Sequence, residues 1–209
     1  MELYTERLVL RPWLESDAES LYEYAKDPRV GPIAGWPPHT SVENSLEIIR
    51  NVLAVDENYA VCLKEDNRAI GSIGLTRGKA SNLDLPDNEG EIGFWLGVPF
   101  WGRGLITEAA RELIRRGFED LKFRKIWAGY FDGNARSRRV QEKCGFKHHH
   151  TSKDVFWRLT GEIHTLHVTC LTRKNWEKSW RLGTGRELNE EGKNNGNETD
   201  SLPGSDRRI

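Results

Sequence analysis

The residues best suited to chemistry in this sequence are Gly102, Arg103 and Gly104, which form a short turn between two periodic segments. If a helix follows the turn, its first N–H groups have no intrahelical partners and carry a partial positive charge, so they attract anions. Glycines add to this property because no side chain keeps a phosphate away from the backbone. The turn therefore predicts a site for a phosphate-bearing cofactor, although an ordinary tight connection is the competing interpretation.

The segments on either side of the turn have the periodicities of a strand and a helix. Apolar side chains alternate from Ile92 to Val98, which is typical of a strand. From Ala109 to Leu121 they recur at helical spacing, and charged residues occupy the opposite face. The sequence thus predicts a strand, a glycine turn and an amphipathic helix in that order.

Two well-known phosphate-binding loops do not fit this turn. The chain contains no G-x-x-x-x-G-K-[ST] run, which a P-loop requires. A dinucleotide fingerprint needs a third glycine where Thr107 stands, and it usually lies at the start of its fold rather than in mid-chain. A nucleotide-binding oxidoreductase is therefore the least favoured hypothesis.

Three segments resemble those of a known enzyme family. The frame Trp101–Ile106 is similar to motif A, [QR]-x-x-G-x-[GA], of the GCN-type N-acetyltransferases (the GNAT superfamily), with Trp and Ile replacing the outer residues. The run WGRGLITEA looks like the RimJ/RimL branch, as do Asn134–Phe146, with its N-x-x-S…K-x-G-F pattern, and the N-terminal ERLVLRPW. The three segments occur in the family's order, and the resemblance covers the chain from about residue 3 to about residue 178.

The predicted element order agrees with the fold that this resemblance implies. Periodicity and turn residues predict β-α-α-β-β-β-α-β-α-β-β, a mixed α/β (α+β) order. We expect a largely antiparallel central sheet with helices on both faces. Capping boxes predict helix starts at Ser16/Glu19 and Thr40/Glu43. The predicted strands cover residues 8–12, 59–64, 70–76, 92–98, 125–131, 155–159 and 163–171, and loops cover 29–39 and 77–88.

A change of composition divides the chain near residue 183. The sequence predicts one GNAT-like domain over residues 1–182, which is long enough to bury a sizeable core. In residues 183–209 the large apolar residues are Leu188, Leu202 and Ile209 alone. Such a segment buries too little surface to offset its chain entropy, so we predict a disordered polar tail.

The resemblance implies acetyl-CoA as the cosubstrate, with its pyrophosphate at the glycine turn. It also implies that Asn134 contacts the pantetheine arm. Backbone N–H groups around Leu96, Gly97 and Val98 are expected to polarise the thioester carbonyl, and no metal is required. The residues expected around the pyrophosphate are Gly102, Arg103, Gly104, Leu105, Ile106 and Thr107.

A carboxylate is the candidate for removing a proton from the amine. Glu91 stands at the start of the strand before the turn, on the face that also carries Gly93 and Trp95. It is the predicted general base, acting through water. Glu89 and Glu108 are weaker choices, because Glu108 is equally suited to complement the helix N-terminus.

A hydroxyl is the candidate for protonating the leaving group. Many relatives outside this branch carry a Tyr where Gln141 stands, and an amide cannot act as a general acid. The resemblance therefore implies that Ser137, one helical turn earlier, protonates the departing thiolate. A role as a simple surface hydroxyl explains Ser137 equally well.

A primary amine is the expected acceptor, and it must be neutral to attack. A lysine amine with a pKa of about 10.4 is ~0.04% neutral at pH 7, whereas an α-amine near 8 is ~10% neutral and needs less help from a base. The branch suggests a protein N-terminus, and a small-molecule amine fits the same chemistry. Trp36 and His39 lie where this family borders the acceptor, so we expect them to shape the substrate pocket or to pack. The alternative function is a catalytically inactive acyl-CoA-binding sensor or interaction module.

Composition argues against several other classes. The net charge of −1 gives no long-range attraction to nucleic acid or membranes, and no signal peptide or transmembrane-length apolar run is present. Cys62, Cys144 and Cys170 are widely spaced and are predicted to be reduced thiols in a cytoplasmic protein. Adjacent residues of His148–His150 point to alternate faces of an extended chain, which disfavours a metal site. A monomer and a homodimer both fit the sequence.

Overall fold

The sheet that the sequence predicts is present, with eight strands. A computed structural model describes residues 1–184 of the chain. The strands lie in the order β1-β2-β3-β4-β5-β6-β8-β7, and every neighbouring pair is antiparallel except β5 and β6. Their bounds are β1 Leu3–Tyr4, β2 Leu8–Arg11, β3 Asn58–Leu63, β4 Ala69–Arg77, β5 Glu89–Leu96, β6 Lys125–Phe131, β7 Lys147–Trp157 and β8 Glu162–Thr172.

Helices cover both faces of this sheet, as predicted. They are α1 Ala18–Ala25, α2 Gly31–Ala34, α3 Val42–Ile48, α4 Leu105–Glu119, α5 Ala135–Lys143 and α6 Arg173–Thr184. A 3₁₀ turn precedes α1, a π-helical turn (Ile49–Leu53) continues α3, and two further 3₁₀ turns follow β4 (Gly78–Ala80) and β5 (Val98–Phe100).

Two apolar cores lie on opposite faces of the sheet, and strand alternation supplies both of them. On β3, Val61 joins the core formed with α4 and α6, whereas Ala60 and Cys62 join the core formed with α1 and α3. The first core is the larger, and α4 buries Leu113 and Phe118 completely within it. The amphipathic pattern predicted after the glycine turn is therefore the face by which α4 packs on the sheet.

Strands β5 and β6 separate partway along their length. They pair in parallel at Glu89↔Lys125, Gly90↔Ile126 and Glu91↔Trp127, and the pairing stops there. Strand β5 nevertheless continues to Leu96 and β6 to Phe131. The sheet consequently has a gap between the two strands, and backbone groups on this side of β5 face the gap instead of a neighbouring strand.

Several predicted elements differ from the structure. The predicted loop 29–39 contains α2, which ends at Gly35 in a left-handed conformation (φ +91°). The strand predicted at 155–159 is in fact β7, which covers Lys147–Trp157. Its first half was missed because β7 is an edge strand whose exposed residues lack apolar alternation. The final helix α6 was not predicted.

Both predicted capping boxes are also wrong. The N-cap of α3 is Ser41, whose hydroxyl accepts a hydrogen bond from the Asn44 N–H at 3.1 Å. Before α1, the Asp17 carboxylate accepts from the Leu14 N–H at 2.9 Å. That carboxylate is fixed by its ion pair with Arg11 at 2.7 Å, a contact that the local sequence pattern does not contain.

The predicted tail lies almost entirely beyond the described part of the chain. Helix α6 ends at Thr184, and residues 185–209 are outside the described residues. Within residues 1–184, no helix is long and apolar enough to cross a membrane.

Candidate active site

The glycine turn forms an open, exposed cradle at the start of α4. Gly102 and Gly104 have φ values of +75° and +78°, a left-handed conformation that side-chain-bearing residues adopt only with strain. A Cβ atom at Gly102 would meet nothing within 4 Å. The first helical hydrogen bond joins the Glu108 N–H to the Gly104 carbonyl at 3.1 Å, so the N–H groups of residues 105–107 precede the ladder. These groups are suited to an anion.

An ion pair between the segment that joins β1 to β2 and helix α4 fixes the turn. The Glu108 carboxylate accepts hydrogen bonds from the Thr5 hydroxyl (2.6 Å), the Arg7 backbone N–H (2.8 Å) and the Arg7 Nε (2.7 Å). Burial raises the pKa of Glu108, but these hydrogen bonds together lower the pKa below its ordinary value. Arg7 Nη1 also donates to the Arg103 carbonyl at 3.1 Å. Glu108 is therefore an anchor, and Arg7 brings a cation to the cradle that sequence reasoning missed.

Trp101 links the cradle to β5 and to α5. Its indole Nε1 donates a hydrogen bond to the Leu96 carbonyl at 2.7 Å, at the end of β5. The Arg136 guanidinium, in the first turn of α5, lies 4.2 Å from the centre of the indole ring. The starts of α4 and α5 consequently lie side by side at one mouth of the gap, with the Arg136 charge between them.

Backbone donors on β5 face the gap. The Gly97 N–H donates to the Ile70 carbonyl of the preceding strand at 2.8 Å, so it is directed away from the gap. Because hydrogen-bonding direction alternates along a strand, the N–H groups of Leu96 and Phe94 point into the gap. Of the predicted donors around Leu96, Gly97 and Val98, the Leu96 N–H thus has the required direction, and Phe94 is an addition that the pattern did not single out.

Asn134 caps α5 and connects it to α2. Its side-chain oxygen accepts from the Ser137 N–H at 3.1 Å, as expected for an N-cap. Its side-chain nitrogen donates to the Ile33 carbonyl at 3.1 Å. Both ends of the amide therefore contact protein groups, and Asn134 holds α2 beside the gap.

Ser137 and Gln141 form a hydrogen-bonded pair on α5. Gln141 Nε2 donates to the Ser137 hydroxyl and to the Gly129 carbonyl of β6, both at 3.1 Å, and its Oε1 accepts from the Thr169 hydroxyl of β8 at 2.8 Å. The Gly129 carbonyl can only accept, which fixes the orientation of this buried amide. Since Ser137 accepts from Gln141, its own proton is directed elsewhere.

The gap opens into a cleft lined from both faces of the sheet. Ile92 and Phe94 belong to the α4 side of β5, whereas Glu91 and Gly93 belong to the opposite side. The cleft has a volume of about 160 Å³. It is therefore a passage through the sheet at the gap between β5 and β6, bordered by α2 and α5. Its lining consists of Ile33, Ala34, Asn82, Glu91, Ile92, Gly93, Phe94, Gly129, Tyr130, Phe131, Asn134, Ser137, Trp157 and Leu166.

Glu91 is the carboxylate of this cleft. One of its oxygens accepts from the Ser81 hydroxyl at 2.8 Å and from the Asn82 N–H at 2.9 Å. Glu89, two residues earlier, is buried and accepts from the Trp127 indole at 2.6 Å, with Lys125 at 3.3 Å. The structure brings Glu91 and Ser137 to one cavity and assigns Glu89 to a structural ion pair.

Trp36 and His39 do not line the cleft. Trp36 packs edge-on against Trp95, with ring centres 5.7 Å apart, and His39 hydrogen-bonds through Nδ1 to the Ser45 hydroxyl at 2.8 Å. Burial lowers the pKa of His39, so it is neutral near pH 7. The cleft wall is formed instead by residues that sequence reasoning missed, namely Ile33 and Ala34 of α2, Asn82, and Trp157 of β7.

Trp157 holds β7 against the end of α2. Its indole Nε1 donates to the Gly35 carbonyl at 2.8 Å, and its ring packs edge-on against Phe131. A Cβ atom at Gly35 would lie 2.7 Å from the indole nitrogen, so glycine is required there. No short motif marks Trp157, because its partner lies 122 residues away in sequence.

The cysteines and histidines contribute no further site. Cys62, Cys144 and Cys170 are free thiols, and burial raises the pKa of Cys62 to about 12 and of the other two to about 11. In the part of the chain that the structure describes, no three His, Cys, Asp or Glu side chains converge as a metal site would require.

A cleft between two separated strands, with an anion cradle at the start of the neighbouring helix, has room for two substrates. Among solved structures with the same fold, the acetyltransferase (GNAT family) from Bacillus anthracis superposes with a TM-score of 0.74 at 22% identity, over 83% of this chain and 99% of that one. Residues 7–147 match the family model described as the acetyltransferase (GNAT) domain. The chain belongs to this family and is an acetyltransferase.

Related sequences agree with this assignment. The uncharacterized N-acetyltransferase p20 of Bacillus licheniformis is 28% identical over 83% of this chain and 97% of its own length. YdaF of Bacillus subtilis, provisionally named a ribosomal N-acetyltransferase, is 35% identical over 46% of this chain and 52% of its own.

Proposed function

We propose that this enzyme transfers the acetyl group of acetyl-CoA to a primary amine by direct attack within the cleft. The observation that carries the proposal is the gap between β5 and β6, which begins beyond Glu91 and extends to Leu96, the residue that Trp101 links to the glycine turn. Two substrates that enter from opposite faces of the sheet meet there. Much of the rate enhancement then comes from holding them together.

The cradle suits the pyrophosphate of the donor. The left-handed glycines leave the backbone open, and the N–H groups of residues 105–107 supply hydrogen-bond donors. Arg7 and Arg136 add positive charge at the same mouth. We assign the N–H groups of Leu96 and Phe94 to the thioester carbonyl, whose oxygen gains negative charge during attack.

Glu91 is suited to receive the proton of the amine. Amines are largely protonated at pH 7, and an α-amine loses its proton more readily than a lysine. The two hydrogen bonds from Ser81 and Asn82 orient the carboxylate. We favour an α-amine, such as a protein N-terminus, and the provisional name of YdaF supports that class. A small-molecule amine is the second candidate.

Ser137 is suited to protonate the leaving group. As the new N–C bond forms and the C–S bond breaks, the nitrogen loses a proton to Glu91 and the thiolate takes the proton of the Ser137 hydroxyl. The Ser137 oxygen then regains a proton from water and Glu91 releases its proton to solvent, so that one proton has passed from nitrogen to sulfur overall. The hydrogen bond from Gln141 leaves that hydroxyl free to donate into the cleft.

We place the reaction in the cytoplasm, where the three thiols stay reduced.

Thiol release from acetyl-CoA tests this proposal. The protein is incubated with acetyl-CoA and with peptides that carry a free α-amine or, as a matched set, a blocked α-amine and a free lysine. We expect thiol release and an acetylated product, identified by mass spectrometry, with the α-amine peptides reacting faster. Tight binding of CoA without thiol release from any amine would instead support the inactive acyl-CoA-binding module.

A further inference from the structure

The acceptor side of the cleft has an unusual charge composition. Towards α2 and β7 its walls are apolar, formed by Ile33, Ala34, Phe131, Trp157 and Leu166. Among the lining residues Glu91 is the one acidic side chain, and there is no lysine, arginine or histidine. This wall is therefore suited to a cation and offers no charged partner to an anion.

Two basic side chains close to this wall do not line it. His164 stacks on Phe131, with ring centres 4.1 Å apart, and its buried Nε2 lies 3.3 Å from a Glu162 oxygen without forming a hydrogen bond. Arg138 forms an ion pair with Glu142 at 2.8 Å on the exposed side of α5. Neither side chain is part of the cleft lining.

Three neutral donors on this side are engaged. The Ser81 hydroxyl and the Asn82 N–H both donate to Glu91, and the Trp157 indole donates to the Gly35 carbonyl. The Ser137 hydroxyl is a further neutral donor of the lining, but it carries no charge, so a carboxylate placed here would lose its hydration without gaining a charged partner. It would also lie beside the negative charge of Glu91, which adds repulsion.

We propose that the acceptor is an amine on an uncharged, apolar carbon frame, and that the cleft excludes amines carrying a neighbouring carboxylate. Free amino acids are then poor substrates, whereas a peptide N-terminus and an arylalkylamine share the favoured chemistry. This inference rests on the proposed function, because it assigns the α2 side of the cleft to the acceptor.

Matched ligands isolate the carboxylate. Binding of L-phenylalanine, L-phenylalaninamide, phenethylamine and a dipeptide amide is measured by titration calorimetry in the presence of CoA. At pH 6 the amines of all four are protonated, so the difference in amine pKa has little effect. We expect the free acid to bind at least about 30-fold more weakly than its amide, in line with the cost of an unpaired buried charge. Stronger binding of the dipeptide amide than of phenethylamine would identify a peptide N-terminus, and not an arylalkylamine, as the acceptor.

Equal affinity for the acid and the amide, or no binding of any of the four, would overturn the inference.

A variant supplies a second test. Ala34 is exposed at the end of α2 and lines the cleft, so Ala34→Arg adds a cation without disturbing the core. We expect this substitution to reduce the preference for the amide by about tenfold, and the matched control Ala34→Gln to leave it unchanged. An unchanged preference in Ala34→Arg would also contradict the inference.

Parallel thiol-release assays separate this inference from the proposed function. If the amide binds in preference to the acid but releases no thiol from acetyl-CoA, the proposed reaction is wrong and the binding preference stands. If the amide and the acid release thiol at equal rates once each rate is divided by the concentration of neutral amine, the proposed reaction stands and the inference is wrong.

Discussion

The Gln141 side-chain nitrogen donates a hydrogen bond to the Ser137 hydroxyl across one turn of α5, over 3.1 Å. The same nitrogen donates to the Gly129 carbonyl, and the amide oxygen accepts from Thr169. Every polar atom of this buried amide therefore has a partner on α5, β6 or β8. Because the amide cannot accept the Ser137 proton through its nitrogen, the pair orients Ser137 as a donor towards the cleft.

Removing the hydroxyl and removing its orientation are expected to have coupled effects. We expect Ser137→Ala to lower kcat about 100-fold, as for the loss of a general acid, with the Kd for acetyl-CoA within about twofold of the parent. Gln141→Met is expected to lower kcat about tenfold and to destabilise the fold by about 1–3 kcal/mol, because the Gly129 carbonyl loses the amide donor and the Thr169 hydroxyl loses the shorter of its two hydrogen bonds. Steady-state kinetics and denaturant unfolding measure both.

The double variant separates orientation from stability. If Gln141 acts through Ser137, Ser137→Ala/Gln141→Met is no slower than Ser137→Ala alone. The control Thr169→Val removes the partner of the amide oxygen, but it leaves the donor to Ser137 in place, so it loses stability and keeps kcat. Additive losses in the double variant would show that the two residues act independently.

The role of Glu91 predicts a pH-dependent defect. Glu91→Gln keeps the size of the side chain and removes the base, so we expect kcat with an α-amine substrate to fall about 100-fold at pH 7. An α-amine with a pKa near 8 is mostly neutral at pH 9, and the defect should shrink to a few-fold there. The control Glu89→Gln changes the buried partner of Trp127. It should lower the free energy of unfolding, while kcat should stay close to the parent value at both pH 7 and pH 9. A defect of constant size from pH 7 to 9 would contradict the assignment.

Two glycine variants can distinguish the effect of backbone strain on stability from the effect of the glycine turn on acetyl-CoA binding. Gly104→Ala forces a side chain into a left-handed backbone, at a cost of about 1–2 kcal/mol, and places a methyl group in the cradle. Gly161, in the turn between β7 and β8, has φ +70° and open space around it, so Gly161→Ala carries the same strain away from the cradle. We expect similar losses of unfolding free energy, but weaker acetyl-CoA binding in Gly104→Ala alone. Equal affinities for acetyl-CoA in the two variants would show that the phosphates do not bind at the glycine turn.

A buried ion pair predicts acid sensitivity of the fold. Glu57 accepts from Arg116 Nε at 2.6 Å, and both side chains are largely buried. Burial raises the pKa of Glu57, but the hydrogen bonds from Arg116 and Tyr59 outweigh it and lower the pKa overall. A carboxyl with a depressed folded-state pKa adds stability above its unfolded pKa of about 4.3, and this stability is lost as the pH falls through the folded-state pKa.

We therefore expect Glu57→Gln to cost about 3 kcal/mol of unfolding free energy at pH 7, because the buried Arg116 keeps only its longer contact with Asp120 at 3.4 Å. The difference from the parent should shrink between pH 5 and pH 3 as Glu57 is protonated in both states. Denaturant titrations at these pH values measure it. The exposed pair of Glu15 and Arg50 provides a control, since Glu15→Gln should leave stability close to the parent. An equally large loss at pH 3 and pH 7 would contradict the ion-pair account.

The sequence predicted the fold best where local chemistry alone determines the structure. The left-handed turn requires glycine, so Gly102 and Gly104 leave a direct trace in the sequence. The amphipathic period of α4 likewise follows from the core that it covers. Edge strand β7 was mostly missed, because exposed residues such as His148 and Lys153 carry no apolar alternation.

The site was less predictable because its contacts join distant parts of the chain. Arg7 reaches Glu108 across 101 residues, and Trp157 reaches Gly35 across 122. The partners of Gln141 depend on the registers of β6 and β8, which no local motif specifies. Ser137 was identified through the family resemblance and Glu91 from its place on the strand before the turn, and their positions in one cleft depend on where β5 and β6 separate.

The kinetic order of the reaction tests the central claim most directly. Both substrates occupy one passage through the sheet in this account, so acetyl transfer requires a complex of the enzyme with both. Initial rates are measured while acetyl-CoA and an amine acceptor are varied together. We predict double-reciprocal lines that intersect, with no acetylated protein detectable by mass spectrometry when the amine is omitted. Parallel lines, together with an acetyl group covalently attached to the protein, would contradict direct transfer within the cleft.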